Sequence, residues 1–197
     1  REMGKKPLTM EQLATLLYYG DGPSGRFDFN TFNNMPGTVT LGSDYTGVVR
    51  CSPSGGGLYP ITLYFVAFNV KGLEKGIYTY LPLTQSIRLI RRLSDADLEE
   101  YDRISTFGIN IDNKTLGIAV YYVYSLYDNS RKYGDMAMQF SYIEAGEIAE
   151  NIQLTATGLD LAATDIGGYE KGPTESFLGI DGLTKHVVHL TLIGTVK

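Results

Sequence analysis

The sequence predicts an α+β fold, a mostly antiparallel sheet with helices packed on it. Long runs rich in β-branched and aromatic residues read as strands: ITLYFVAFNV (61–70), LGIAVYYVYSLY (116–127) and KHVVHLTLIG (185–194). Helical patterns at 7–19 and 136–158 supply the packing partners. No repeat or linker divides the 197 residues, so one domain over 1–197 is expected.

The first helix, PLTMEQLATLLYY, has Thr9 as N-cap and Gln12 at the spacing of a capping box. Leu13, Leu16 and Leu17 form its apolar stripe. Residues 20–47 are rich in Gly, Asn, Asp and Pro without a clear period and read as a long loop. The strand at 61–70 is bounded by Pro60 and by Lys71-Gly72. GIYTYLP and SIRLIRRL form a hairpin pair around Pro82–Gln85. SDADLEEYDRIS (94–105) opens with Ser94 and an acidic first turn, a good helix start. The helix at 136–158 carries Phe140, Ile143, Ile148, Ala149 and Ile152 on broadly one side and ends at Gly158.

Composition narrows the function classes. A net charge of −5 with scattered Lys and Arg argues against nucleic acid as the main partner. The only cysteine, Cys51, permits no intrachain disulfide and suits a reducing, cytoplasmic setting. No apolar run reaches about 18 residues and no signal-peptide pattern opens the chain, so no membrane span is expected. The aromatics are 15 Tyr and 8 Phe with no Trp. Tyrosine joins a flat apolar ring to a polar tip, which serves a ring-shaped ligand or a subunit interface equally well.

Three segments carry candidate chemistry. In Arg50-Cys51-Ser52-Pro53-Ser54-Gly55-Gly56-Gly57-Leu58-Tyr59-Pro60, the consecutive glycines let the backbone approach a ligand closely. Ser54 adds a hydroxyl, and Arg50 a permanent cation suited to phosphate. The plain alternative is a flexible turn before a strand. The segment lacks the Gly-Lys-Ser/Thr ending of a nucleoside-triphosphatase loop. The second segment, Arg131-Lys132-Tyr133-Gly134, follows a strand and is either a solvated turn or a pair of proton-transfer groups. Proton transfer near neutral pH asks for burial or a neighbouring cation. The third, Asp165-Ile166-Gly167-Gly168-Tyr169, is either a turn or a pair of bare N–H donors facing a ring heteroatom. His186 and His189 sit on a predicted strand, three apart, and are expected on opposite faces, which speaks against a metal pair.

Taken together, PSGGGLYP (53–60), KYG (132–134), the helix EAGEIAENIQLTATGLDL (144–161) and the Gly-Gly-aromatic that follows resemble the SagB, ThcOx and McbC type of azoline dehydrogenase, a branch of the nitroreductase-fold flavoproteins. The resemblance covers nearly the whole chain. It implies a mixed, mostly antiparallel sheet flanked by helices, and a homodimer with flavin mononucleotide (FMN) in the groove between subunits. It also implies roles. Arg1 matches a basic position of an N-terminal flavin-contacting motif. Pro53, Ser54 and Gly55 match the loop along the isoalloxazine and ribityl chain. Gly167 and Gly168 match the loop facing the flavin's reactive edge, and Lys132 and Tyr133 match the catalytic Lys-Tyr pair. Gln139, Glu147 and Glu150 stand where relatives often carry Arg, His and Gln. The C-terminal basic pair of simple nitroreductases is not visible before Lys197, which leaves Arg50 as the leading phosphate ligand.

The implied reaction converts a thiazoline or oxazoline ring to the thiazole or oxazole, with Lys132 as base and Tyr133 sharing or relaying the proton. The ring would sit on a ribosomal peptide or a carrier-bound precursor, presented by a cyclase or synthetase partner. Two other readings stand beside it: a general NAD(P)H-dependent nitro- or quinone reductase, and a non-catalytic binding or scaffold subunit.

Overall fold

The computed structural model describes residues 3–28, 46–105 and 115–197. Six strands form the main sheet, in the order β5-β4-β3-β6-β8-β7: β3 (Ile61–Ala67), β4 (Gly76–Leu81), β5 (Ser86–Arg92), β6 (Ile118–Ser125), β7 (Leu161–Asp165) and β8 (Lys185–Thr195). Every neighbouring pair in it is antiparallel. The parallel component expected of a mixed sheet is confined, among the described residues, to an isolated bridge between Leu8 and Val70. Two further strands, β1 (Pro23–Asp28) and β2 (Thr46–Arg50), pair antiparallel in a separate sheet. β1 and the start of β2 stand within the stretch 20–47 expected to be a loop; its lack of period hid them, because a short exposed ribbon has no buried face to mark. Residues 29–45 of that expectation lie outside the described residues, as does Arg1.

Helix α1 (Met10–Asp21) has the predicted capping box: Thr9 Oγ1 accepts from the Gln12 N–H at 3.0 Å and Gln12 Oε1 from the Thr9 N–H at 2.9 Å. Helix α2 (Asp95–Ile104) starts the same way, with Ser94 and Asp97 capping each other. Helix α3 (Leu126–Tyr133) leads through a short turn, Gly134–Met136, into the long α4 (Ala137–Gly158), and α5 (Lys171–Leu178) precedes β8.

Strand β6 lies mid-sheet, and its side chains alternate between two cores. Tyr122 and Tyr124 pack with Leu13, Leu17, Ile148 and Ile152 of α1 and α4, while Tyr121 and Val123 pack with Tyr101 and Phe177 of α2 and α5. Tyrosines thus fill the interior rather than only interfaces. Their buried hydroxyls find partners: Tyr121 with Tyr101, Tyr122 with Thr191, and Tyr124 with Asn129, each at 2.9 Å.

The register of β8 shifts where Tyr122 pairs with His189 but Val123 with Val187. This bulge sets His186 opposite Tyr124 and His189 opposite Tyr122, overriding the simple alternation that put the histidines on opposite faces. Each has its own carboxylate, Glu175 Oε1 at 3.9 Å from His186 and Asp165 Oδ1 at 3.4 Å from His189. Among the described residues no cluster of three or more His, Cys, Asp or Glu could hold a metal ion, and no helix is long and apolar enough to cross a membrane.

Candidate active site

The glycine segment connects β2 to β3 and is built around two buried carboxylates that no motif announced. Asp21, the last residue of α1, is buried. Its Oδ2 accepts from Arg50 Nη1 at 2.8 Å and its Oδ1 from Ser52 Oγ at 2.9 Å. Burial raises its pKa to about 6, against the pull of the Arg50 charge and of the Ser52 hydrogen bond. The Arg50 guanidinium also lies over the Tyr59 ring, 4.4 Å from its centroid, and the Tyr59 hydroxyl accepts from the Arg50 N–H at 3.0 Å.

Glu144 is the second carboxylate, 3% exposed on the sheet-facing side of α4. It accepts from Ser54 Oγ at 2.5 Å and from the Ile61 N–H at 3.3 Å, while Ser54 Oγ itself accepts from the Tyr59 N–H at 2.8 Å. These bonds close the segment 54–61 over one carboxyl group. Burial lifts the Glu144 pKa to about 7, against the hydrogen bonds from Ser54 and Ile61. A third tie joins Asn151 Nδ2 of α4 to the Cys51 carbonyl at 3.3 Å.

Between these anchors the glycines bulge outward as a single helical turn, Gly55–Gly57, with Gly56 and Gly57 at φ of +68° and +66°. That left-handed conformation is disfavoured for residues with a Cβ. Gly56 meets a further constraint, because a Cβ there would stand 2.5 Å from Lys132 Nζ and 2.5 Å from Tyr133 Oη. Both functional groups therefore converge on one point of the glycine turn. The Tyr133 ring is fixed edge-on against Phe140, with centroids 4.8 Å apart, and both rings touch the space beside Gly55.

Lys132 and Tyr133 come from the last turn of α3 rather than from a strand end. The buried Asn129 places that helix: its Nδ2 donates to the Ala137 carbonyl at 3.0 Å and to Ser141 Oγ at 3.2 Å, and its Oδ1 accepts from Tyr124. Gly134, at φ +52°, ends it. Lys132 is exposed, so the burial expected of a general-base amine is not provided by a single chain.

Of the predicted site residues, the structure brings Ser54, Gly55, Lys132 and Tyr133 together, and leaves Pro53 exposed beside them. Arg50, expected as a phosphate ligand, is paired with Asp21 in a single chain. Its charge is committed to Asp21, since a buried carboxylate needs a cation more than a loop rim does. Gly167 and Gly168 are exposed after β7, with nothing within 4 Å of where a Cβ would stand. In strand order β7 is three places from β3, which the glycine segment enters. A groove of about 420 Å³ between α1 and the β4–β5 hairpin, lined by Leu13, Tyr18, Tyr80 and Ile87, includes none of these residues.

The comparisons with known proteins agree with this architecture. The model of the Nitroreductase family matches residues 1–195. The chain belongs to the nitroreductase family. It is thereby an oxidoreductase of a flavin-using family. A provisionally named nitroreductase of Methanocaldococcus jannaschii is 28% identical over 182 residues, covering 91% of this chain and 79% of that protein. Among solved structures, this nitroreductase-family chain superposes in full on 67% of a chain of the E. coli microcin synthetase McbBCD complex with truncated pro-MccB17 bound, at 21% identity and TM-score 0.77. A nitroreductase structure from Anabaena variabilis matches at TM-score 0.76 and 23% identity over 93% of this chain, which spans only 34% of that one. The NADPH:FMN oxidoreductase of Vibrio harveyi, complexed with NAD+, matches at TM-score 0.57 and 13% identity, covering 99% of this chain and 63% of that one.

Proposed function

We propose that the chain is an FMN-dependent dehydrogenase that oxidises thiazoline or oxazoline rings to thiazole or oxazole on a peptide or carrier-bound precursor, acting as a homodimer. The observation that carries this reading is the convergence of Lys132 Nζ and Tyr133 Oη on Gly56. A simple reductase moving hydride from a nicotinamide to a flavin has no need of a paired amine and phenol at the substrate face. An enzyme that must also strip a carbon-bound proton does.

The residues suit a flat cofactor. Bare backbone at Gly55–Gly57 and at Gly167–Gly168, with open space above Gly57, Gly167 and Gly168, leaves room for a ring to approach. Pro53, Ser54 and Gly55 would hold the ring and ribityl chain through their backbone, since the Ser54 hydroxyl is already engaged with Glu144 and Tyr59. With Arg50 spent on Asp21, Arg1 is the sequence-derived cation left for the phosphate. FMN, when bound there, would supply the two-electron acceptor that ring oxidation needs. Lys132 accepts the proton from the ring carbon that was the amino-acid α-carbon. Tyr133 donates a hydrogen bond at the same place and orients the ring.

A homodimer supplies what one chain lacks. The glycine segments are apart in a single copy, and Lys132 is exposed. Met136, Tyr142, Ile143 and Leu154 stand exposed on and beside α4, more apolar surface than a solvent-facing helix needs. A second copy packed there would cover it and bring the two glycine segments to one groove. The substrate assignment draws further support from the likeness to the McbBCD chain, whose complex holds a truncated precursor peptide.

The test is incubation of FMN-loaded protein with an azoline-bearing peptide and, separately, an azoline-loaded carrier protein, read by mass spectrometry. Loss of the mass of two hydrogen atoms is expected. The likeness to the Vibrio harveyi oxidoreductase favours a second reading, NAD(P)H-dependent reduction of nitro or quinone compounds. Rapid NADPH-driven nitroarene reduction with no azoline oxidation would decide for it.

A further inference from the structure

Glu144 is a buried carboxylate bonded to both flanks of the glycine turn, Ser54 and Ile61, and the proposed chemistry makes no use of it. It lies on α4, the helix that α3 runs into, and α3 carries Lys132 and Tyr133. Through Asn129, α3 is bonded to the first turn of that same α4. The turn and the Lys-Tyr pair are thus referenced to one rigid element by separate ties: Glu144 for the turn, and Asn129 for the pair.

The ties to Glu144 have a definite order. The Ser54 hydroxyl donates to Oε2, the Ile61 N–H donates to Oε1, and the Tyr59 N–H donates to Ser54 Oγ. Residues 54, 59 and 61 bracket the three glycines. With both ends pinned, the glycines between them close the loop through the left-handed turn at Gly56 and Gly57. That turn puts Gly56 where only a residue without a Cβ leaves room for Lys132 Nζ and Tyr133 Oη. Unpinned, three consecutive glycines are the least ordered sequence a chain offers, and the fit would be one of many states.

We propose that Glu144 is a positioning residue of this enzyme: acting through Ser54, it sets the glycine turn against Lys132 and Tyr133 and so fixes where the amine and phenol meet the substrate. The proposal rests on the dehydrogenase reading for the word substrate, but its structural half does not. Glu144 touches neither reacting atoms nor cofactor. It acts at a distance, as a group whose loss misplaces others, and misplacement by about 1 Å is enough to cost about a hundredfold in rate.

The experiment compares Glu144→Ala, Ser54→Ala, the double variant and Glu144→Gln, each loaded with FMN. Glutamine keeps an acceptor for the Ile61 N–H and offers a donor to Ser54 Oγ, so it serves as the rescuing variant. Amide hydrogen exchange by mass spectrometry reads the turn directly. Acetylation of Lys132 by a limiting amount of acetic anhydride reads the pair. Turnover per bound flavin reads the chemistry.

In Glu144→Ala and Ser54→Ala, exchange over 53–61 should quicken at least tenfold while α4 and β3 stay protected. The Lys132 labelling rate should change by threefold or more, and kcat per flavin should fall about ten- to a hundredfold. The two substitutions should be non-additive, the double variant resembling the worse single one, and Glu144→Gln should restore most of each reading. Unchanged exchange over 53–61, or faster exchange with labelling and turnover per flavin untouched, overturns the positioning role. So do effects of Glu144→Ala and Ser54→Ala that multiply. If exchange and labelling respond as expected while no variant, nor the parent, oxidises an azoline, the positioning role stands and the substrate reading falls.

Discussion

Raising the pH from 5 to 8 should destabilise this protein, the reverse of the usual acid-sensitive pattern. Glu144 titrates near 4.5 in an unfolded chain and near 7 when folded, because burial penalises its charge. At about 1.4 kcal/mol per tenfold change in a proton equilibrium, that displacement is worth about 3 kcal/mol. The sign follows from proton counting. Below about pH 4.5 the carboxyl is protonated in both states, and the whole contribution is present. Between 4.5 and about 7 the unfolded chain releases its proton while the folded one keeps it, so unfolding gains ground. Above about 7 the folded carboxyl ionises too and the contribution is gone. Asp21 acts in the same direction over a lower window, from 3.8 to about 6. The charged groups acting on Glu144 are Asp21 at the end of α1 and Arg50 at the end of β2, so the two acids titrate as a coupled set and their contributions do not add. Urea unfolding followed by far-ultraviolet circular dichroism at pH 5, 6, 7 and 8 gives the profile. Glu144→Gln, which mimics the neutral acid, isolates the residue. The parent should lose on the order of 3 kcal/mol across the range, and the variant should be flatter and more stable than the parent at pH 8. A midpoint that is constant or rising in the parent, or the same slope in Glu144→Gln, would refute the reasoning.

Other consequences can be checked separately. Lys132→Ala should lower azoline oxidation about 10²–10⁴-fold with flavin absorbance unchanged, and full turnover in that variant would remove Lys132 from the chemistry. Arg50→Ala strands the buried Asp21 carboxylate and should cost about 3–5 kcal/mol in thermal or urea unfolding; a loss below about 1 kcal/mol would mean that the ion pair does not hold the loop. Gly56→Ala should cost about 1–2 kcal/mol for its left-handed backbone and also disturb turnover. Gly57→Ala, which faces open space, should show the backbone cost alone, and equal kinetic damage in both would argue against the Lys132–Tyr133 contact. Light scattering of the FMN-loaded protein should give a dimer at micromolar concentration, and a flavin-bound monomer would remove the shared groove.

Strands β3, β6 and β8 were legible because each is long, β-branched and buried, so propensity and pattern agree. The caps of α1 and α2 were legible because Thr9–Gln12 and Ser94 act through bonds local in sequence. What escaped was set by distant contacts. Leu126–Tyr133 continues an apolar strand into a helix with no cap bond from Ser125, and its helicity rests on Asn129 bonding α4. The β8 bulge depends on pairing with β6, which no alternation rule sees. Asp21 reads as an acid in a loop and Glu144 as an ordinary acid in helical sequence. The available signal was that Glu144 adjoins Ala145 and stands four residues before Ile148 on the apolar stripe, where a carboxylate is expensive unless bonded.

Arg50 shows how a motif's cation can also be engaged by the fold behind it. A lone arginine beside a serine-glycine run reads as an anion site, because guanidinium and bare N–H groups both favour phosphate. The fold sets Asp21 at 2.8 Å from its guanidinium and the Tyr59 ring under it, so part of the cation is engaged within the chain. The consequence reaches the whole site. If FMN binds as proposed, the charge of Arg50 is shared with Asp21, and the bare backbone of the turn suits the flat ring end of the cofactor, beside Lys132 and Tyr133. On the homodimer proposal, a groove shared by two copies would let the glycine segments, which adjoin strands three places apart in one chain, serve a single cofactor.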